Sequence, residues 1–285
     1  MKENNNAHLH GYVNGVRTND FENGKKSFLI DLTTIEAYKD NAGESKRIYT
    51  NHKVNLVTDD AKLVKALEAV KADVENNFAH RGEDDFKPKT HTATVDGKLV
   101  ARINQKDGNV YFNNLVVTTA EDFKLDAKLG EGEVRNFAEI KGNIVNVNMF
   151  EDDGFAIVRV GAKYYAPGES VNYKGETKPY TEMTTFLDTR INANRLPKTF
   201  DQLKNGELEV GDLISVRGQM HNNDYQDKNE VNQRKITIDL NKVELVAKKG
   251  QKKAEAEEKK EEKTEAKKAA PKQKKATARK KGVSM

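Results

Sequence analysis

Two stretches of the sequence share a strand pattern that is interrupted by glycine. "HLHGYVNGV" (8–16) and "EIKGNIVNV" (139–147) each place an apolar residue two positions before a glycine and another two positions after it. Glycine packs nothing inside a strand and costs backbone entropy, so it marks a bulge, a sharp bend or the close approach of another backbone. Its repetition predicts two small curved sheets, each opened by a bent strand.

The first of these stretches begins a run of predicted strands. Alternating apolar and polar residues indicate strands over 8–18, 27–38 and 47–58. Asn23-Gly24, between the first two, is a strong signal for a hairpin turn. Two further strands, over 92–104 and 109–118, complete this unit.

A helix is predicted between the third and fourth of these strands. Asp59 and Asp60 are good helix-capping residues. The apolar residues that follow recur at spacings of four, three and four and are Leu63, Leu67, Val70 and Val74. This spacing predicts one amphipathic helix that ends near Asn77.

The second glycine-centred stretch repeats the plan. Its five predicted strands are 137–150, 155–165, 180–191, 211–220 and 234–246. A short helix candidate, 199–206, follows Pro197 and again precedes the fourth strand. Residues 119–134 read as a connector between the two units.

Five strands with a helix between the third and fourth is the order of the OB-fold, a small Greek-key barrel. In such a barrel the glycine lets the opening strand bend far enough to serve both sheets. We therefore predict a mainly β chain with one OB-fold at 1–118, a linker at 119–134 and a second OB-fold at 135–247. Two unrelated five-stranded sandwiches are the alternative.

The remaining residues, 248–285, form a tail rich in Lys, Glu and Ala that is too poor in apolar residues to fold alone. It carries fifteen Lys and Arg and six Glu, a net charge of +9, whereas the preceding 247 residues hold 34 bases and 39 acids, a net charge of −5. We expect a disordered basic arm that raises encounter rates with nucleic acid. A solubilising spacer is the alternative.

Several classes of function are disfavoured by what the sequence lacks. With no cysteine there is no disulfide framework and no thiolate metal site. There is no P-loop, HExxH or Gly-x-Ser-x-Gly motif, no apolar run of membrane-spanning length and no apolar leader at the start. His8 and His10 share a strand face, but no third metal ligand is predictable beside them. We expect a cytoplasmic protein that is not an enzyme and that has no metal, no cofactor and no membrane association.

The first unit resembles the bacterial single-stranded DNA-binding protein family. The stretches that carry the resemblance are "NAHLHGYVNGVRTND", "SFLIDLTT", "TNHKVNLVT" before the helix and the late "NVYFNNLVV", and they cover residues 6–118. The second unit looks like a diverged copy, through "GNIVNV" and "LEVGDLISVRGQM". Members of this family commonly end in an acidic tip that recruits other enzymes, whereas this chain ends in "RKKGVSM".

The resemblance implies sequence-independent binding of single-stranded DNA, and its protection, during replication, recombination or repair. It implies single-stranded DNA as the partner, with replication or recombination proteins as further partners. It also implies a location in the cytoplasm near the nucleoid, or in the host cytoplasm for a phage protein. Family members often present four barrels per assembly, so two barrels per chain would reach that number as a homodimer. DNA or RNA preference, site size, cooperativity and the role of each barrel stay open.

Binding unpaired bases needs aromatic faces for stacking and cations for the phosphates. In the strand at 47–58, Tyr49 and Lys53 have the parity opposite to the apolar residues, with Arg47 at the strand entry, while Phe28 has core parity. In the second unit, Met183, Leu187 and Ile191 share one parity, and the opposite one is taken by Tyr180, Phe186 and Arg190. The remaining candidates lie near the same surfaces or in loops and are Arg17, Lys25, Lys26, Phe155, Arg159, Lys163 and Tyr164.

A different class of function stays open at this point. In a structural or protein-interaction module, such as a virion or scaffold component, the outer aromatic residues would face protein, and the tail alone would bind nucleic acid. An annealing or RNA-binding protein could also be built on the same barrels.

Overall fold

A computed structural model gives the fold, and it describes residues 5–22, 24–39, 42–103, 110–117, 119–128, 135–171, 177–226 and 232–250. The strands are β1 (Asn5–Asp20), β2 (Lys26–Lys39), β3 (Ser45–Thr58), β4 (Thr92–Ile103), β5 (Val110–Val117), β6 (Phe123–Leu125), β7 (Asn136–Phe150), β8 (Phe155–Val171), β9 (Thr177–Asn192), β10 (Leu213–Gln226) and β11 (Asn232–Ala247). The helices are α1 (Ala61–Ala79) and α2 (Pro197–Lys204). The chain is thus mainly β, and in its described part neither helix has the length and apolarity to span a bilayer.

The first five strands pair in a closed order. β1 pairs antiparallel with β2, β2 with β3, and β4 with both β5 and β1, while β3 and β5 run parallel. The pairing therefore returns to the strand where it began. α1 lies between β3 and β4 in the chain, is capped by the Asp60 carboxylate and packs against β1.

The later strands repeat this order. β7 pairs antiparallel with β8, β8 with β9, and β10 with both β11 and β7, while β9 and β11 run parallel. α2 lies between β9 and β10. The two rings are joined through an antiparallel pair of β1 and β7, from Asn5 opposite Ile140 to Leu9 opposite Asn136.

The repeated glycine lies where the opening strand of each ring changes partner. β1 pairs with β4 up to Tyr12 and with β2 from Tyr12 onward. A Cβ atom on Gly11 would lie 2.4 Å from the Thr33 carbonyl oxygen of β2, and one on Gly142 would lie 2.4 Å from the Gly161 carbonyl oxygen of β8. No side chain fits at such a distance. Both glycines therefore let a neighbouring backbone approach, and this is why the pattern occurs twice.

The inward parity of the strands fills the core. Phe28, Ile30 and Leu32 of β2 are fully buried, which confirms the expectation that Phe28 is a core residue. In the second ring Leu187 and Ile191 are buried, but Met183 of the same parity is exposed. Met183 lies opposite Tyr164 in the β8–β9 hairpin, away from the β9–β11 pairing at Thr189 and Arg190, so ring closure does not cover it.

The predicted connector carries structure of its own. Within residues 119–134, Ala120–Asp122 forms a 3-10 turn and β6 pairs antiparallel with β4. The start of the predicted tail is also held: the Lys248 ammonium lies 2.9 Å from the Asp212 carboxylate, which also accepts from the Lys249 amide. The rest of the predicted tail, 251–285, lies outside the described residues.

One buried histidine ties the first helix to the sheet. The His91 ring lies 2.9 Å from the Asp73 carboxylate of α1 and 3.0 Å from that of Asp126. Burial lowers the pKa of His91, but hydrogen bonds and charge from Asp126 and Asp73 outweigh it, and the net pKa is raised. The imidazolium form thus stabilises the attachment of α1.

Candidate nucleic-acid interface

The outward side of β1, β2 and β3 forms a polar strip edged by exposed rings, here called the β1–β3 face. Tyr12, Thr33 and Asn51 lie in one row across the three strands. The Thr33 hydroxyl donates to Asn51 Oδ1 and accepts from Asn14 Nδ2, both at 2.5 Å. These bonds hold the polar side chains across the strip and leave the rings of the face to solvent.

Tyr49 of β3 has the outward position that strand parity predicts. Its side chain is 53% exposed and lies opposite Ile35 of β2, which is also exposed. The alternate residues Thr50 and His52 are buried. About half of the surface of Tyr49 is therefore open to solvent, and an aromatic ring exposed in this way offers a flat surface to a ligand.

The cations predicted for the first unit flank this face, but several have acidic partners. Asp31 lies 3.3 Å from the Arg17 guanidinium and 3.6 Å from the Lys53 ammonium, so one carboxylate serves two cations. Lys26 lies 2.5 Å from the Glu68 carboxylate, a hydrogen bond that raises its pKa. Arg47 and Lys25 are exposed. Arg17 and Lys53 thus share one carboxylate, and Arg47 adds an exposed cation at the start of β3.

The second unit has a cluster of aromatic rings of which the sequence predicts only some members. The Phe155 ring stacks on Phe150 at 4.7 Å between centroids, and the Arg190 guanidinium carbon lies 5.6 Å from the Phe155 centroid. Arg190 also lies 3.5 Å from the Asp239 carboxylate. Phe155 and Arg190 are predicted site residues. Phe150 is not, although it stands at the turn-facing end of β7, directly opposite Phe155.

Other second-unit candidates have partners within the protein. Arg159 binds Asp188 of β9 through two nitrogens, at 2.8 and 3.3 Å, and the Asp188 side chain is only 4% exposed. Phe186 is half-buried and packs against the core. Lys163 pairs with Glu182, and the Tyr164 hydroxyl lies 3.3 Å from the Met183 sulfur. The Tyr180 side chain lies outside the described residues.

Sequence reasoning missed a groove beside the β1–β3 face, here called the α1 groove. It encloses about 740 Å³ between β1 and the end of α1, and Tyr12 and Phe78 line it. Phe78 stands four positions after Val74, so its spacing places it on the apolar side of the helix, yet it is 76% exposed. Leu67 and Val70 are the buried residues of α1. The sequence signal was an aromatic residue just beyond the predicted helix end.

A buried polar seam separates the two rings. The buried His52 of β3 lies 3.2 Å from the Thr34 hydroxyl, and burial, with a smaller contribution from the charge of His221, lowers its pKa to about 3. Thr185 of β9 hydrogen-bonds both the amide and the carbonyl of Ala101 in β4. The Thr185–Ala101 hydrogen bonds cross from the second ring to the first, whereas the His52–Thr34 contact lies within the first ring.

The histidines considered as metal ligands are otherwise engaged. His8 Nδ1 lies 2.6 Å from Asp96, and His10 Nδ1 lies 2.8 Å from the Thr94 hydroxyl. Throughout the described ranges, no group of three or more His, Asp or Glu side chains is arranged to hold a metal ion.

The closed ring of five strands places the chain among mainly β proteins of the OB type. No family model and no curated protein matches the sequence. Among solved structures, the wild-type single-stranded DNA binding protein from Thermus aquaticus is similar, with 18% identity and a TM-score of 0.50 over 86% of this chain and 93% of that one. A deletion mutant of the same protein gives 18% and 0.50 over 87% and 97%. The resemblance predicted from the sequence is confirmed at the level of the fold.

Proposed function

We propose that the chain binds single-stranded DNA without sequence preference and is not an enzyme. The observation that carries the proposal is the exposed Tyr49 ring on an outer strand face that Arg17, Arg47 and Lys53 flank with positive charge. Stacking on aromatic rings and a cationic track for phosphates are the two needs of sequence-blind single-strand binding. The fold shared with the Thermus aquaticus single-stranded DNA binding protein supports the same conclusion.

The finer architecture belongs to this proposal. We take each ring as one OB-fold barrel, with domains at 1–118 and 135–247, the linker at 119–134 and a basic tail from 248. In the second barrel, Phe155 and Arg190 are the favoured contacts. The other proposed contacts are Lys25, Lys26, Arg159, Lys163, Tyr164, Tyr180 and Phe186, of which Arg159 would have to exchange Asp188 for a phosphate.

Coating of single strands would protect them and melt hairpins by mass action on the unpaired state. This binding would serve replication, recombination or repair in the cytoplasm, with proteins of those processes as further partners. A homodimer would present four barrels, and light scattering that reports a monomer would reject it.

The direct test is a titration of fluorescent oligo-dT at moderate salt, with the full chain and with a chain that ends at Gly250. Both should bind, because the proposed contacts lie in the folded part. Tyr49→Ala should weaken binding by ~1–3 kcal/mol, the value of one stacked base, and Tyr49→Phe should keep most of the affinity. Binding only when residues 251–285 are present would instead favour the structural module.

A further inference from the structure

The α1 groove adjoins the β1–β3 face without a break. Tyr12, Asn14, Arg17 and Asp31 belong to the face and also line the groove. A polymer lying along the outer side of β1 therefore meets the groove as its next surface. This continuity concerns only the first ring, and none of the groove's α1 residues is among the sequence-predicted contacts.

The groove combines apolar walls with positive charge. Val13, Val16 and Val74 contribute aliphatic surface, and Tyr12 and Phe78 contribute rings. Its lining Lys and Arg residues outnumber its lining acids, four to two, and are Arg17, Lys71, Arg81 and Lys89 against Asp31 and Glu75. An apolar, ring-bearing surface with excess positive charge suits a base and its phosphate.

Phe78 and Arg81 are groove residues with little part in packing or in ion pairs. Phe78 is 76% exposed and therefore gains little from packing. Lys71 and Lys89 pair with Glu75 and Asp73, at 3.8 and 2.7 Å. The Arg81 guanidinium, by contrast, pairs with no carboxylate in the part of the chain that the structure describes. One ring and one uncommitted cation thus stand three residues apart at the end of α1.

We propose that the α1 groove is a second binding site for single-stranded nucleic acid, where a base stacks on Phe78 and a phosphate pairs with Arg81. This rests on the proposed function and extends it, because the strand would pass from the β1–β3 face over β1 to the helix end. Short oligonucleotides that fill only the β1–β3 face do not reach Phe78 and Arg81 in the α1 groove, whereas longer ones do.

The test compares two lengths of fluorescent oligo-dT, about 8 and about 40 nucleotides, chosen against the ~4–16 nucleotides that one OB-fold covers. With the full chain, Phe78→Ala should leave the Kd for the short oligonucleotide unchanged and raise that for the long one about tenfold, the effect of one stacked base. Phe78→Tyr should restore tight binding. Because Phe78 is exposed, the variants should keep the wild-type circular dichroism and melting curve.

The salt dependence of binding provides an independent test of the proposed phosphate contact. Arg81→Gln should lower the salt dependence of long-oligonucleotide binding by about one phosphate contact. Lys65→Gln is the matched control, since Lys65 is exposed on the same helix but does not line the groove.

Wild-type affinity of Phe78→Ala and Arg81→Gln for the long oligonucleotide would overturn the inference, and it is the result expected if the groove holds an apolar peptide instead. The proposed function would survive that result if Tyr49→Ala still weakened both lengths. Failure of the unaltered chain to bind either length would refute both.

Discussion

At the scale of single residues, outward rings and buried histidines follow from the same alternation. Along β3, Tyr49 faces solvent while Thr50 and His52 face inward, because successive side chains of a strand point to opposite sides. The ring proposed to stack on a base is thus one position away from the buried Thr50 and three from the buried His52. The cost of that burial falls on His52, which has to stay neutral.

His52 makes stability depend on pH in a defined direction. Its pKa is lowered to about 3 in the folded chain, mainly by burial, against ~6.5 when unfolded. The stability it supports is therefore present above about pH 6.5 and is lost as the pH falls toward 3, with a limiting slope of ~1.4 kcal/mol per pH unit.

Urea unfolding at several pH values checks this. Between about pH 6 and pH 4, His52→Gln should lose less stability than the unaltered chain, whatever its stability at neutral pH. Carboxylates titrate in both proteins, so their contribution cancels in the difference. Parallel curves for the two proteins would show that His52 is not kept neutral by the fold.

At the scale of elements, β1 is the strand that pairs with both β2 and β4 and so completes the first ring. The strand changes partner from β4 to β2 at Tyr12, next to Gly11, and the β2 backbone crosses within contact of that glycine. A backbone carbonyl held in a strand pair cannot move aside to make room for an added methyl group. The second ring repeats the device at Gly142, and the same argument holds there.

Gly11→Ala should therefore destabilise the chain by about 1–3 kcal/mol, the range for forcing extra atoms into a packed site. Gly15→Ala is the matched control in the same strand, because its Cβ would meet the Asp31 side chain, at 2.8 Å, rather than backbone. That side chain can rotate away. Thermal unfolding of both variants measures the difference, and equal losses would mean that the close approach at Gly11 is not decisive.

The same scale shows what the sequence could predict. Alternation in β2 and β3 places Phe28 inward and Tyr49 outward, since a local period of two contains that information. The Arg159–Asp188 pair could not be predicted, because it depends on the register of β8 against β9. Phe78 was not predicted for a related reason. Its spacing places it with the apolar residues of the helix, and only the tertiary fold shows that the end of α1 leaves this ring exposed.

At the scale of the whole molecule, charge is divided between the folded part and the tail. Residues 1–247 carry a net charge of −5 and residues 248–285 a net charge of +9. In the folded part, cations such as Arg17 and Lys53 share a carboxylate. Long-range attraction of a polyanion would then come mainly from the tail, and short-range contacts from the β1–β3 face.

Removing residues 251–285, which hold thirteen Lys and Arg against six Glu, should slow association with oligo-dT more than it speeds dissociation. It should also make log Kd less dependent on log salt, by ~0.7 for each phosphate that the tail would otherwise neutralise. Stopped-flow binding at about 50 and 200 mM salt measures both effects. A full-length variant with Lys272, Lys274 and Lys275 replaced by Gln should lie between the two, and identical salt slopes for all three would identify the tail as a spacer.

The β1–β7 pair has a mechanical consequence. Backbone pairing from Asn5 to Leu9 joins the rings edge to edge, and such a junction resists any swing of one unit toward the other. A strand of DNA that touches both rings would then follow two surfaces joined by this backbone pairing. The path of the nucleic acid across the protein would then be set by how β1 and β7 hold the two rings together.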